Sequence, residues 1–286
     1  MASMIDIKRR KVSIQSTQQI TKAMKLVSTV KLQRAKTRAE QSKAYFDCMY
    51  ETVTSMLART TNSDHPYLKA GDSSKKAVIV ITSNRGLAGG YNSNVIKLIT
   101  KGELKKEDLV IYAVGKKGRD ALSRYGYEIK EDLSDMIEEP QYPDAMCLAQ
   151  KLLKSYADGE IGEIYLAYTA FKNTVSHIPT LRKLLPVEAG MPEENAANEK
   201  QIPMNFEPED EEALNMIIPK YVTSLIYGGL VESAASENGA RMQAMDSATS
   251  NAEEMISSLT LLYNRARQGS ITQELTEIIA GAEAIS

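Results

Sequence analysis

Residues able to carry chemistry are few and scattered in this chain. The loop Ser83-Asn84-Arg85-Gly86-Leu87-Ala88-Gly89-Gly90-Tyr91-Asn92 lies between a predicted strand and a predicted helix, where backbone amides can hold a phosphate. It is not GxGxxG, and no GxxxxGKS/T run occurs, so a tight strand-to-helix turn accounts for it better. His65 and His177 lie far apart without catalytic company and read as structural or exposed. Cys48 and Cys147 form no CxxC or Cys/His cluster, which argues against a disulfide framework or metal site and fits a reduced setting. The acids Glu207, Glu209, Asp210, Glu211 and Glu212 lack metal-ligand spacing and fit the start of a helix, where negative charge meets the macrodipole. No Gly-x-Ser-x-Gly or HExxH is present. Catalytic, metal-binding and cofactor-binding residues are therefore assigned to none, and no cofactor is expected.

The elements say more than the reactive groups. All nine prolines lie between Pro66 and Pro219, and the first glycine is Gly71. Proline costs about 3 kcal/mol inside a helix, so both ends are free to form very long ones. Residues 4 to about 57 read as one helix, which at 1.5 Å per residue would span about 80 Å. Its predicted seam runs through Ile20, Ala23/Met24, Val27 and Val30 and on through Ala35, Ala39, Ala44, Phe46, Met49, Val53, Met56 and Leu57, weakening around Lys31 to Lys43 where most positions are polar or basic. From Glu209 a second helix continues toward the C-terminus, with a kink expected at Gly269, a capping box restarting it at Ser270…Gln273, and a final amphipathic segment through Ile271, Leu275, Ile278/Ile279 and Ala282.

Between them the pattern is α/β. Ala77–Thr82, Leu109–Val114 and Glu163–Ala170 read as strands, with helices near 93–101, before Tyr125, and over 144–157. After a hairpin turn at Lys172-Asn173, Val175–Val187 reads as a strand, placed at a sheet edge by Pro179 and Pro186. Alternating strands and helices favour a mostly parallel sheet covered on both faces. Residues 188–206 read as a surface loop. The expected organisation is an α/β fold: a long antiparallel coiled coil of the terminal helices (1–57 and 209–286) plus a central Rossmann-like α/β domain (75–187).

Charge supports the pairing of the ends. Residues 1–43 carry eleven bases against Asp6 and Glu40, whereas from residue 229 onward eight acids face three arginines. Exposed ion pairs are worth about 0–1 kcal/mol each, so charge would bias register while apolar contact stabilises. The basic helix also raises the alternative of a nucleic-acid-binding coiled coil, but few aromatics are available to stack on bases. No apolar run approaches the roughly 20 residues of a membrane span, and no secretory signal is visible, so membrane association would come through partners.

Several motifs then converge. Gly269-Ser270-Ile271-Thr272-Gln273-Glu274-Leu275-Thr276-Glu277-Ile278-Ile279-Ala280-Gly281-Ala282 resembles the C-terminal signature of the γ subunit of F-type ATP synthases. Ile5…Arg9-Arg10, Thr21 through Val27, Ser83 through Asn92, and Glu232-Ser233-Ala234-Ala235-Ser236-Glu237 with Ala240-Arg241-Met242 resemble further segments of that family, in order along the whole chain. The resemblance implies a non-catalytic rotating central shaft in the bacterial F1 sector. Its terminal coil would sit inside an α3β3 hexamer, and its α/β domain would contact the ε subunit and the membrane c-ring, with one copy per complex. It implies ion transport coupled to ATP synthesis, at the cytoplasmic face of a bacterial plasma membrane, where the absence of a transit peptide also points. By the same resemblance Lys22, Met24, Lys25, Arg241, Gln268 and Thr272 are subunit contacts. Gly228-Gly229 and Gly239 depart from the family pattern and are expected to soften the second helix.

Overall fold

The computed structural model describes residues 4–59, 65–69, 71, 73–187 and 210–283. The elements in order are α1 (Met4–Arg59), β1 (Lys76–Ile81), α2 (Tyr91–Thr100), β2 (Leu109–Val114), α3 (Lys116–Arg124), β3 (Glu128–Asp132), α4 (Tyr142–Ala157), β4 (Glu163–Phe171), β5 (His177–Leu185) and α5 (Asp210–Glu283). The expected loop at 188–206 and the acids Glu207 and Glu209 lie outside the described residues. The chain divides into two compact units: residues 30–240, and residues 1–29 with 241–286.

The larger unit is built on a five-stranded sheet of order β3-β2-β1-β4-β5. β1 pairs in parallel with β2 and β4, β2 with β3 likewise, and β4 with β5 antiparallel. Ala77–Ile81 are completely buried, as expected of a central parallel strand covered on both faces. Side chains alternate between two cores. Ile79, Ile81, Tyr112, Ile164 and Leu166 meet α4, Met56 of α1, and Leu214, Ile218, Val222, Ile226 and Leu230 of α5. Val78, Val80 and Ile111 meet Val95 and Ile99 of α2 and Leu122 of α3. β5 is an edge strand, as its proline predicts, although it begins at His177 because Asn173 Oδ1 accepts the amides of Val175 and Ser176 and lengthens the turn. The opposite edge, β3, has no sequence forecast. Its Glu128-Ile129-Lys130-Glu131-Asp132 carries one apolar residue, and charged side chains guard an edge against foreign pairing.

The smaller unit holds α1 up to Thr29 against α5 from Arg241, antiparallel. Buried and half-buried positions on α1 here are Ile7, Lys11, Ile14, Gln18, Thr21, Met24/Lys25 and Ser28, alternating steps of three and four. The predicted seam is therefore corrected by one position. Ile20 and Val27 are each 58% exposed, whereas Thr21 and Ser28 point inward. Thr21 Oγ1 lies 2.8 Å from Thr249 Oγ1, so one hydroxyl donates to the other while the acceptor donates to a carbonyl of its own helix, Gln18 or Met245, and both are satisfied in the interface. Within the larger unit the repeat on α1 continues through Leu32, Ala35, Ala39, Ser42, Phe46, Met49, Val53 and Met56; Ala35 and Ala39 are half-buried as read from the sequence, whereas Ala44 is exposed and Ser42 takes its place.

α5 is one helix from Asp210 to Glu283. The helix runs unbroken through Gly269 and no capping box restarts it there; Ser270 Oγ instead reaches the Glu274 carboxylate, 3.5 Å away on the next turn. Of the glycines expected to soften α5, Gly228 has room for a Cβ, which would meet Phe46 at 3.6 Å, whereas Gly229 and Gly239 serve close approach. A Cβ on Gly229 would come within 2.8 Å of Leu166 Cδ2, and one on Gly239 within 2.8 Å of His177 Cε1.

Candidate functional site

The loop after β1 is braced by its own polar residues. Asn92 Oδ1 accepts the Ser83 amide at 2.9 Å, Asn84 Oδ1 accepts the Lys116 amide at 3.1 Å, and Asn84 Nδ2 donates to the Ser134 carbonyl at 2.8 Å. Ser83, Asn84 and Asn92 thus tie the first β-strand to α2, α3 and the turn after β3. Leu87 and Gly89 adopt positive φ (63° and 55°), which shapes the tight turn read from the sequence.

His65 is buried and its Nδ1 accepts the Tyr67 amide, so it holds a turn. His177 stacks on Phe171, with ring centroids 6.1 Å apart, and burial pushes its pKa below the usual 6.5. Both cysteines are exposed, and among the described residues no group of His, Cys, Asp or Glu is arranged to hold a metal. At the start of the sheet, Glu163 accepts from Lys76 and from Lys183 Nζ (3.0 Å) and from Tyr165 OH (3.1 Å). Burial opposes ionisation of Glu163, but these donors outweigh it and hold its carboxyl below the usual 4.5. The same bond outweighs burial at Lys76 and raises its ammonium above 10.5. This is a cross-strand brace between β1, β4 and β5.

The predicted contact residues fall on the two-helix unit. Lys22 Nζ lies 3.1 Å from Glu253 and Lys25 Nζ 2.6 Å from Asp246, so both ammonium groups face α5 acids while remaining substantially solvated. Gln18 also donates to Glu253, at 2.9 Å. Met24 and Arg241 are half-buried. Gln268 and Thr272 are exposed one turn apart, where Thr272 Oγ1 donates to the Gln268 carbonyl at 2.9 Å. The structure thus brings Lys22 and Lys25 to the acidic face of α5 and leaves Gln268 and Thr272 as a separate pair.

The most conspicuous surface is the final amphipathic segment read from the sequence. At the register of Thr21 against Thr249, Met4 lies level with Ala266, and α5 runs on to Glu283 without α1 beside it. There Ile271, Leu275, Ile278 and Ile279 are 49–67% exposed. On α1, Ile5, Val12, Ile20, Leu26 and Val27 also face outward. The spacing Leu275, Ile278, Ile279 makes a helical stripe in the sequence, and its exposure in the structure shows that the described residues leave it uncovered. Apolar stripes of this kind mark surfaces that other chains cover.

The ATP synthase family model matches residues 3–285. The chain is 65% identical over 291 residues to the ATP synthase gamma chain of Lachnoclostridium phytofermentans, covering all of both chains. It is 40% identical to the ATP synthase gamma chain, sodium ion specific, of Acetobacterium woodii, over 98% of each. A chain of the Euglena gracilis mitochondrial ATP synthase OSCP/F1/c-ring structure shares the fold, with a TM-score of 0.70 at 19% identity over 99% of this chain and 94% of that one. A chain of the Tetrahymena thermophila mitochondrial ATP synthase central stalk and c-ring gives 0.58 at 24% identity, over 80% of this chain and 99% of that one. None of these relatives supports a nucleic-acid-binding coil. A two-helix unit with outward apolar residues, a braced α/β sheet, and identity along the full length agree: the chain belongs to the ATP synthase γ-chain family.

Proposed function

We infer that this chain is the central-stalk rotor subunit of an F-type ATP synthase, coupling ion flow through a membrane c-ring to ATP synthesis and hydrolysis at catalytic β subunits. The full-length identity to named γ chains carries the reading. In this reading the segments 1–57 and 209–286 form the shaft inside an α3β3 hexamer. The segment 75–187 is the foot that meets the ε subunit and the c-ring, with one copy per complex at the cytoplasmic face of a bacterial plasma membrane. Among the described residues no helix is long and apolar enough to cross a membrane, which fits attachment through partners.

The mechanism needs no reactive group on this chain. A shaft biases a catalytic subunit only by contacting its conformations unequally, since a ligand that binds two states alike shifts neither. Outward apolar residues on both helices, and Lys22, Met24, Lys25, Arg241, Gln268 and Thr272, are the side chains assigned to such contacts. The test is co-expression with α and β subunits of the same complex. An ATP-hydrolysing α3β3γ assembly containing one copy of this chain is expected; a purified α3β3 fraction that never retains it would refute the assignment.

A further inference from the structure

β4 outruns its neighbour. β1 pairs with it only as far as Ala167, yet β4 continues to Phe171. On its other side Thr169 faces Pro179 of β5, which has no N–H to give, and Phe171 faces His177 two residues on in the same phase. The backbone groups of Thr169 and Phe171 therefore turn toward the side where β1 has ended. Three side chains of α5 meet them there. Ser233 Oγ accepts the Thr169 amide at 3.3 Å, Glu232 Oε2 accepts the Phe171 amide at 3.2 Å, and Ser236 Oγ donates to the Thr169 carbonyl at 3.2 Å. One turn later the His177 ring fills the space that Gly239 leaves open. A helix here does the work of a missing strand.

We propose that Glu232, Ser233 and Ser236, with the Gly239 notch, are a register lock: positioning residues that fix α5 against the sheet so that a load carried by the helix passes to the sheet without slippage. The physical ground is directionality. The contacts of Ile218, Val222, Ile226 and Leu230 with the sheet are apolar and tolerate sliding, because burial depends on area and not on register. Three hydrogen bonds to fixed backbone positions of one strand do not. The two serine bonds are buried, since Ser233 and Ser236 have no exposed surface, so water does not readily replace them; the Phe171–Glu232 bond is half-buried. Glu232, Ser233, Ser236 and Gly239 all lie in the same compact unit as the sheet, close to its boundary at Ala240.

The lock rests on the rotor reading, and its test separates the two. In the complete membrane-bound complex, Ser233→Ala and Glu232→Ala are expected to speed hydrogen exchange at the Thr169 and Phe171 amides by about two- to tenfold, the effect of one lost hydrogen bond. ATP hydrolysis should persist while ions pumped per ATP fall about twofold or more. Glu232→Gln keeps an acceptor oxygen and should restore both quantities. Glu163→Gln, which loosens the brace at the other end of β4, should leave pumping per ATP unchanged. Faster exchange with undiminished pumping would overturn the lock, as would an equal loss in Glu163→Gln. A wild-type chain that fails to enter the complex would instead remove the stalk assignment, and the lock with it.

Discussion

His177 and Glu232 sit on the same junction and answer acid with opposite signs. Burial lowers the pKa of His177 below its ordinary 6.5, so folding favours the neutral ring. Its contribution is present above pH 6.5 and is lost as pH falls through the lower, folded value. Burial also raises the Glu232 carboxyl above 4.5, against the hydrogen bond from Phe171 and the attraction of Arg182. That group contributes below 4.5 and loses the contribution as pH rises through its folded value. Thermal unfolding between pH 7 and 5 should therefore show His177→Phe with a shallower acid decline than wild type. An unchanged slope would mean that the imidazole stays solvated. Glu163 belongs to a separate window. Its depressed pKa keeps the β1–β4–β5 brace intact above pH 4.5 and releases it as pH falls through the folded value, so Glu163→Gln should flatten the profile only there.

At the scale of elements, α5 changes its repeat partway along. Leu214, Ile218, Val222, Ile226 and Leu230 recur every four residues against the sheet, and from Met245 through Thr249, Ala252, Ile256, Leu259 and Tyr263 the steps alternate three and four against α1. The glycines inside this helix divide by surroundings. Gly229→Ala adds a methyl into the closed core beside Leu166 and should destabilise by about 1–2 kcal/mol despite better helix propensity. Gly269→Ala meets nothing within 4 Å and should stabilise by about 0.5–1 kcal/mol. Denaturant titration of the two variants checks the signs, and a destabilised Gly269→Ala would contradict the open surroundings. Replacing both Thr21 and Thr249 by Val removes a satisfied polar pair from the seam. Because neither partner is left alone, the double variant should unfold within about 1 kcal/mol of wild type or above it.

At the scale of the whole molecule, function is a difference in contact with partner states. Met24 stands half-buried beside Lys22 and Lys25, whose charges already face Asp246 and Glu253. Met24→Lys adds a third cation to this short stretch. It should leave assembly intact while weakening coupling by about 1–2 kcal/mol, the usual size of a coupling free energy. ATP-driven ion pumping compared with ATP hydrolysis in the same vesicles measures it, and a normal ratio would take Met24 off the contact surface.

The long terminal helices were legible in the residue order, because proline is absent from α1 and from α5 beyond Pro219, and helix breaking is a property that the backbone obeys locally. The buried strands β1, β2 and β4 were legible for a similar reason: continuous Val, Ile and Ala suits only a sheet covered on both faces. The charge split between the ends likewise announced their pairing. The seam was not legible, since Ile20 and Val27 are more apolar than the Thr21 and Ser28 that take the interior. Which face of a helix is inside depends on where the second helix lies, and Thr249 makes an inward hydroxyl tolerable by sharing a hydrogen bond. The edge strand β3 was hidden because backbone pairing to β2 forms it, with little help from apolar side chains. Ser233, Ser236 and Glu232 could be read as a motif, but their work depends on β4 outlasting β1, a relation between segments far apart along the chain that only folding establishes.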